Sequence, residues 1–213
     1  MALLRGGELF VEEAIAENRH SEMLVPMIRR VLDRARLVAP QMDAFAFGQG
    51  PGSFTGIRIA CGIVQGLAFA SNRPVVPVPS LAALAEQSNE SRVIAALDAR
   101  MGEAYLAAYA RNGDEWDEVI APRLADAASL PPLPGRRWAA TGSGFDHHAW
   151  LREAYRDSVE MRFEDDLPRA GAVARLAARR FARGAGIAAA EAAPLYLRDK
   201  VALTTEERRK AKS

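Results

Sequence analysis

Residues 44–70, AFAFGQGPGSFTGIRIACGIVQGLAFA, decide how this chain is read. The apolar run Ala44-Phe45-Ala46-Phe47 has the length and aromatic content of a buried strand. Gly48, Gly50, Pro51 and Gly52 then predict a turn without regular structure. Ser53 or Thr55 can cap a following helix by accepting a hydrogen bond from an unpaired N–H of its first turn. That helix is expected from about Gly56 to Ala70, and it is apolar nearly all round. Ile57, Ala60, Cys61, Val64, Leu67 and Ala68 make one stripe; Ile59, Gly62, Ile63, Gly66 and Phe69 make the opposite one. A helix with two apolar faces is expected to be buried on both. One would lie on a sheet, and the other, with Gly62 and Gly66 four apart, invites a second helix to come close.

A glycine-rich turn from strand to helix can cradle phosphate, because helix N-terminal N–H groups attract anions. The specific patterns fail. Gly56 is followed by Ile57-Arg58 where a P-loop needs Lys and Ser or Thr, and a dinucleotide fingerprint would need glycine at Ser53. A tight turn that only packs a helix remains the plainer alternative.

The 213 residues can bury a substantial core, as one large domain or two small lobes. Hydrophobic residues at 49% and charged ones at 26% are ordinary for a globular protein. A formal net charge of +1 gives no general hold on nucleic acid, so any nucleic-acid partner would need a local contact. One cysteine allows no internal disulfide and suits a reducing compartment. No apolar run reaches the roughly 20 residues of a membrane span, and the opening residues are too short for a signal-peptide core. A cytoplasmic protein is expected.

Met1–Phe10 reads as a strand, a Gly6-Gly7 turn and a second strand, which Val11–Ala16 could continue. Ser21 to about Arg36 is an amphipathic helix with Met23, Leu24, Met27, Ile28, Val31, Leu32 and Ala35 on one side. Pro26 is expected to bend it or to mark its proper start. Val75–Val78 should be a short strand, and a helix should start near Ser80. The polar stretch Gln87–Ser91 suggests a lobe boundary, dividing 1–90 from 91–213, with a C-terminal segment that could return to the first lobe. Strands are expected at Val93–Leu97, Glu103–Ala110, Trp116–Val119 and Trp138–Thr141, with a hairpin turn at Asn112-Gly113. Ala170–Arg183 should be a helix with Val173, Leu176, Ala177 and Phe181 inward, and Arg175, Arg179 and Arg183 solvated. The charged end, Glu206–Ser213, is expected to fray. Alternating strands and helices give an α/β fold.

The polar inventory is thin for catalysis. Ser53, His20 and Asp98 could be assembled into a relay on paper, but nothing in their spacing favours it. His20 has no second ligand at metal spacing, and His147-His148 read as surface or loop residues. Cys61 inside an apolar helix reads as inert packing. Asp98, at a strand end, could hold a metal nucleotide or simply accept backbone N–H bonds.

The string GPGSFTGIRIACG closely resembles the hallmark of the TsaB (YeaZ) family, which makes threonylcarbamoyladenosine at position 37 of tRNA. NRHSEMLVPMIRRVLDRA, VIAALDARMGEAYLAAY and APLYLRDKVALTT resemble further family blocks, in the expected order. The resemblance implies an actin-like ATPase-domain (ribonuclease H-like) fold in two lobes. It implies a non-catalytic subunit with no catalytic or metal residues of its own, supporting the sibling transferase TsaD together with the small ATPase TsaE. The sibling's two metal-holding histidines match Ser80 and Leu84 here, neither of which replaces an imidazole.

Family members meet the sibling or each other through two helices. These match Ser21–Arg36 and Gly56–Ala70, so Met23, Leu24, Met27, Ile28, Val31, Ile59, Gly62, Ile63, Gly66 and Phe69 are the expected partner face. Gly50, Gly52, Ser53, Thr55 and Asp98 are the possible nucleotide side, with no cofactor required by the subunit but ATP or ADP possible at the complex. A homodimer is possible, and tRNA would be reached through the complex. The family normally opens with an apolar strand that nothing here matches, so the resemblance implies a missing first strand and a start codon assigned too late. The runner-up is a stand-alone nucleotide-dependent phosphotransferase or ATPase of the same superfold; a hydrolase reading rests only on scattered Ser and His.

Overall fold

The computed structural model describes residues 1–14, 20–163 and 167–198, so the expected frayed end lies outside the described residues. Two glycines shape its first element. Gly6 and Gly7 take positive φ values of 54° and 89°, which lets strands β1 (Ala2–Arg5) and β2 (Glu8–Val11) fold back as an antiparallel hairpin with Arg5 opposite Glu8. Helix α1 (His20–Ala35) follows, within a residue of its expected span. Pro26 lies inside it, exposed, and does not mark its start.

Strand β3 (Phe45–Gly50) runs further than expected. Gly48 and Gly50 belong to the strand and pair with Val78 and Pro79 across an irregular register, where Gly50 takes a positive φ of 110° that glycine alone adopts readily. Helix α2 (Phe54–Ser71) starts two residues early for a local reason. Ser53 takes the cap, its Oγ accepting from Gly56 N–H at 3.3 Å, so Thr55 falls inside the first turn and is no cap. Asn72 in left-handed conformation ends the helix.

Strand β4 (Val75–Pro79) is parallel to β3. Its prolines are tolerated by edge geometry. Val75 N–H bonds Ile187 O on the side away from β3, so Pro77, two residues on, loses its N–H on that same outer edge. Helix α3 (Ser80–Gln87) is buried almost throughout. Strands β5 (Arg92–Asp98), β6 (Ala104–Asn112) and β7 (Glu115–Ala125) form an antiparallel meander. Strand β7 is much longer than expected, pairing all the way back to Ala104.

Strand β8 (Trp138–Thr141) joins β5 in parallel, followed by helices α4 (Gly144–His147) and α5 (Ala149–Tyr155) and strand β9 (Val159–Phe163), giving the order β7-β6-β5-β8-β9. The last three have no strong periodicity in the sequence and were not expected. Helix α6 (Ala170–Ala182) returns to pack on β1, β3, β4 and α3, so one core cluster spans Val78, Leu81, Leu84, Val93, Ala107 and Leu176.

The arginines of α6 are not merely solvated. Arg175 and Arg179 reach the buried Glu86 carboxylate at 3.5 and 2.7 Å, and Arg183, just past the helix end, reaches Glu115 at 2.9 Å. Phe181 is partly exposed rather than inward. The hairpin β1–β2 and the pair β3–β4 share no hydrogen-bonded ladder with one another.

Candidate functional site

Two features carry chemistry: an open helix face and a cleft. On α2 only Cys61, Val64 and Ala68 are buried, against β3 and its surroundings. Among the described residues nothing covers the opposite stripe. Gly62 and Gly66 are exposed, a Cβ at either would meet nothing, and Phe69 is 82% exposed. Ile59 and Ile63 are half-buried. The expectation that both faces of α2 are packed is therefore not met among the described residues.

On α1, Met23, Leu24 and Ile28 are half-buried, but Met27 and Val31 turn inward as core. Val31 packs with Leu3 and Ala35, so two of the ten residues expected on a partner face are occupied by this fold itself.

The cleft gathers at the ends of β3 and β5. Asp98 closes β5, and its carboxylate accepts from Arg100 N–H at 3.0 Å and from His148 Nε2 at 3.1 Å, with Arg100 Nη1 at 3.3 Å. Burial alone would raise this carboxyl; the Arg100 N–H, the His148 ring and the Arg100 charge outweigh it and hold it below the usual range. Ser143 Oγ accepts from Asp98 N–H at 3.3 Å, tying the β8–α4 turn to the β5 end. Arg198 Nη2 donates to Ala99 O at 2.8 Å and pairs with Glu103 at 2.7 Å, pinning the other side of the loop.

Gly52, Ser53, Asp98, Ser143 and His147 line one cavity of about 1070 Å³; Gly50 and Thr55 do not. Gly50 is buried, and a Cβ there would sit 2.9 Å from Leu195 O. The first turn of α2 is capped by its own Ser53. Above it Arg58 lies 3.7 Å from the Phe54 ring centre and donates from Nε to Tyr196 OH at 2.6 Å. No lysine accompanies this turn.

His148 corrects the sequence reading: it is a buried partner of Asp98, not a surface residue. No local pattern could reveal it, because the two are 50 residues apart. Ser53 and Asp98 share the cavity, while His20 opens α1 and its side chain lies outside the described residues. Cys61 is packing, as expected. Burial pushes its thiol up, and Sγ donates to Ala192 O at 3.5 Å. Ser80 and Leu84 are buried on α3. Among the described residues, no three His, Cys, Asp or Glu side chains cluster as a metal site.

A family model described as "TsaD: tRNA N6-adenosine threonylcarbamoyltransferase" matches residues 11–204. The tRNA threonylcarbamoyladenosine biosynthesis protein TsaB of Escherichia coli K12 is 33% identical, covering 95% of this chain and 90% of that protein. Its Haemophilus influenzae counterpart is also 33% identical, covering 94% and 89%. Among solved structures, YeaZ from Pseudomonas aeruginosa superposes with a TM-score of 0.82 at 36% identity, covering 92% of each chain. A Pseudomonas aeruginosa protein described as similar to peptidase YEAZ gives 0.85 at 36% identity, covering 92% and 93%. The fold is thus the actin-like, ribonuclease H-like one, and likeness over nearly the whole length to proteins a third identical leaves one assignment: this chain belongs to the TsaB (YeaZ) family.

Proposed function

We propose that this protein is a non-catalytic subunit that supports a TsaD-type transferase in forming threonylcarbamoyladenosine at position 37 of tRNA. The observation that carries the reading is the open stripe Ile59–Gly62–Ile63–Gly66–Phe69 of α2, apolar and without a covering element among the described residues. A contiguous apolar patch of this kind marks a protein-binding surface. Paired glycines let a partner backbone approach where a side chain would hold it off. Membership of the TsaB family supports the pathway, and the closed Asp98–His148 pair supports a supporting rather than catalytic part.

On this reading the partners are the transferase and the small TsaE-type ATPase, with a homodimer of the same face as a resting form. ATP or ADP belongs to the complex, the subunit needs no cofactor of its own, and tRNA is reached through the assembly. The compartment is the cytoplasm.

The test is co-expression with the transferase subunit, followed by threonylcarbamoyl transfer to tRNA in a reconstituted mixture. The chain should copurify, show no transfer alone, and restore transfer when the other subunits are present. ATP turnover by the purified chain at about 1 per second or faster would instead favour a stand-alone ATPase.

A further inference from the structure

The arginines on one side of α6 carry more charge than their carboxylate partners cancel. Arg175, Arg179 and Arg183 recur at four-residue intervals along α6 and its C-terminal cap, each interval advancing about 6 Å. Arg175 Nε and Arg179 Nη2 lie 3.5 and 2.7 Å from Glu86, and Arg183 Nη1 lies 2.9 Å from Glu115. Arg111 joins them from β6. Its guanidinium stands 4.3 Å from the ring centre of Trp116, whose Nε1–H donates to the same Glu86 at 2.8 Å. Glu118 of β7 and Arg180 of α6 both stand near Tyr109 and add one charge of each sign. Five guanidinium groups thus meet three carboxylates.

The ion-paired charges of opposite sign also sit at different depths. The Glu86 side chain is 5% exposed and that of Glu115 24%, against 41% for Arg175 and 62% for Arg183. In Arg156–Glu153, an ordinary surface pair, the two partners are exposed alike. On α6 the carboxylates lie beneath and the guanidinium groups lie outermost, so solvent meets mainly positive charge. The buried carboxylates also hold the arginines in place. A long side chain gives up rotamer freedom when it binds, and one already held by an ion pair has given up much of it beforehand. Arg175 engages through Nε and Arg183 through Nη1, so each keeps further N–H groups of its five donors for a second anion.

We infer that this arginine face of α6 and β6 holds the phosphate backbone of the tRNA; naming that RNA rests on the proposed function. The guanidinium fork matches phosphate oxygens two at a time. The four-residue step of about 6 Å is close to the separation of neighbouring phosphates along a strand. The ring of Trp116 is covered by Arg111 rather than offered as an anchor, whereas a protein interface is built around a buried apolar or aromatic centre. A chain with a formal net charge of only +1 gains its hold on a polyanion where positive charge is gathered locally, as it is here. None of these residues belongs to the open stripe of α2, so subunit association is expected to survive their loss.

The experiment measures binding of a tRNA transcript by fluorescence anisotropy, across a salt series, to the chain alone and to its mixture with the transferase subunit. Arg175→Gln combined with Arg183→Gln should weaken binding about tenfold and lower the slope of log affinity against log salt by about 1.5–2. Arg156→Gln removes the same kind of charge from an ordinary pair and should leave both at the parent's values. Arg175→Lys combined with Arg183→Lys keeps the charge and should restore most of the slope. In the reconstituted reaction the double Gln variant should raise the KM for tRNA more than it lowers kcat. Should that variant fail to fold, Arg183→Gln alone, at an exposed helix end, carries the test with about half the change in slope. Affinity and slope like the parent's in a folded Gln variant overturn the inference. Loss of copurification with the transferase subunit, without loss of RNA affinity, overturns it too and makes this a protein-docking face. If the parent neither copurifies nor supports transfer, the proposed function falls, while the titration of the chain alone still decides whether this face holds RNA.

Discussion

Ser53 and Thr55 are two hydroxyl residues at the start of one helix, and only one of them has a structural task. Ser53 Oγ holds the Gly56 N–H; Thr55 is exposed in the first turn. Ser53→Ala should cost about 1 kcal/mol of stability, while Thr55→Ala should stay within about 0.5 kcal/mol; urea denaturation of both variants measures the contrast, and equal losses would remove the cap assignment. Gly142 is a harsher case. It sits at φ 96° where β8 turns toward α4, and a Cβ there would collide with the Ala96 carbonyl oxygen. Gly142→Ala should destabilise by more than the ~1 kcal/mol of an ordinary glycine effect, seen as a large drop in Tm, and a Tm within a few degrees of the parent would contradict the packing described. Residue identity made the Ser53 cap legible as one of two choices. The Asp98–His148 bond was not legible, since nothing in His147-His148 says which ring turns inward until β5 and α4 are brought together.

At the scale of the element, α2 is what the sequence described best and also where it misled. Its apolar periodicity and the strand before it were readable because both patterns are long and uninterrupted. Its two-sided burial is not met among the described residues, where no atom lies over Gly62 or Gly66. By length and hydropathy alone α2 could cross a membrane, but its Cys61–Val64–Ala68 stripe is packed on the core and would have to be torn away. The extension of β3 through Gly48–Gly50 was hidden by glycines that usually signal turns, and the ion pairs of α6 were hidden because Glu86 lies some ninety positions earlier.

Gly66→Leu separates packing from partnership. Among the described residues no atom stands within reach of a Cβ at Gly66, so the isolated fold should be undisturbed, and loss of a mid-helix glycine should stabilise it by up to ~1 kcal/mol. Added bulk on a face where another helix approaches should weaken association by about 1–3 kcal/mol. A raised or unchanged Tm together with weaker association in sedimentation is the expected pair of results. Unchanged association with the transferase subunit or with a second copy would show that this face is not the interface.

For the whole molecule, the stability profile against pH follows from groups that tie distant parts together. Glu86 on α3 is 9% exposed, receives Trp116 Nε1–H of β7 at 2.8 Å, and pairs with Arg175 and Arg179 of α6. Burial would raise its carboxyl, but the hydrogen bonds from Arg179 and Trp116 and the nearby guanidinium charges outweigh it and hold it low. A depressed carboxyl contributes stability that is fully present above its unfolded value of about 4.3, and is lost as pH falls through the folded value. Tyr155 acts at the other end. Burial pushes its phenol up to about 12, and its hydroxyl donates to Pro131 O at 2.7 Å. The unfolded phenol ionises near 10, so stability should decline as pH rises beyond that. These two groups therefore contribute a fall in urea midpoints below about pH 5 and another above about pH 10. Glu86→Gln tests the acid side: it should cost about 2 kcal/mol near neutrality, and its difference from the parent should shrink as pH falls and the parent carboxyl takes up its proton. A difference that stays constant as pH falls would mean that the charge on Glu86 is not what holds α3, α6 and β7 together.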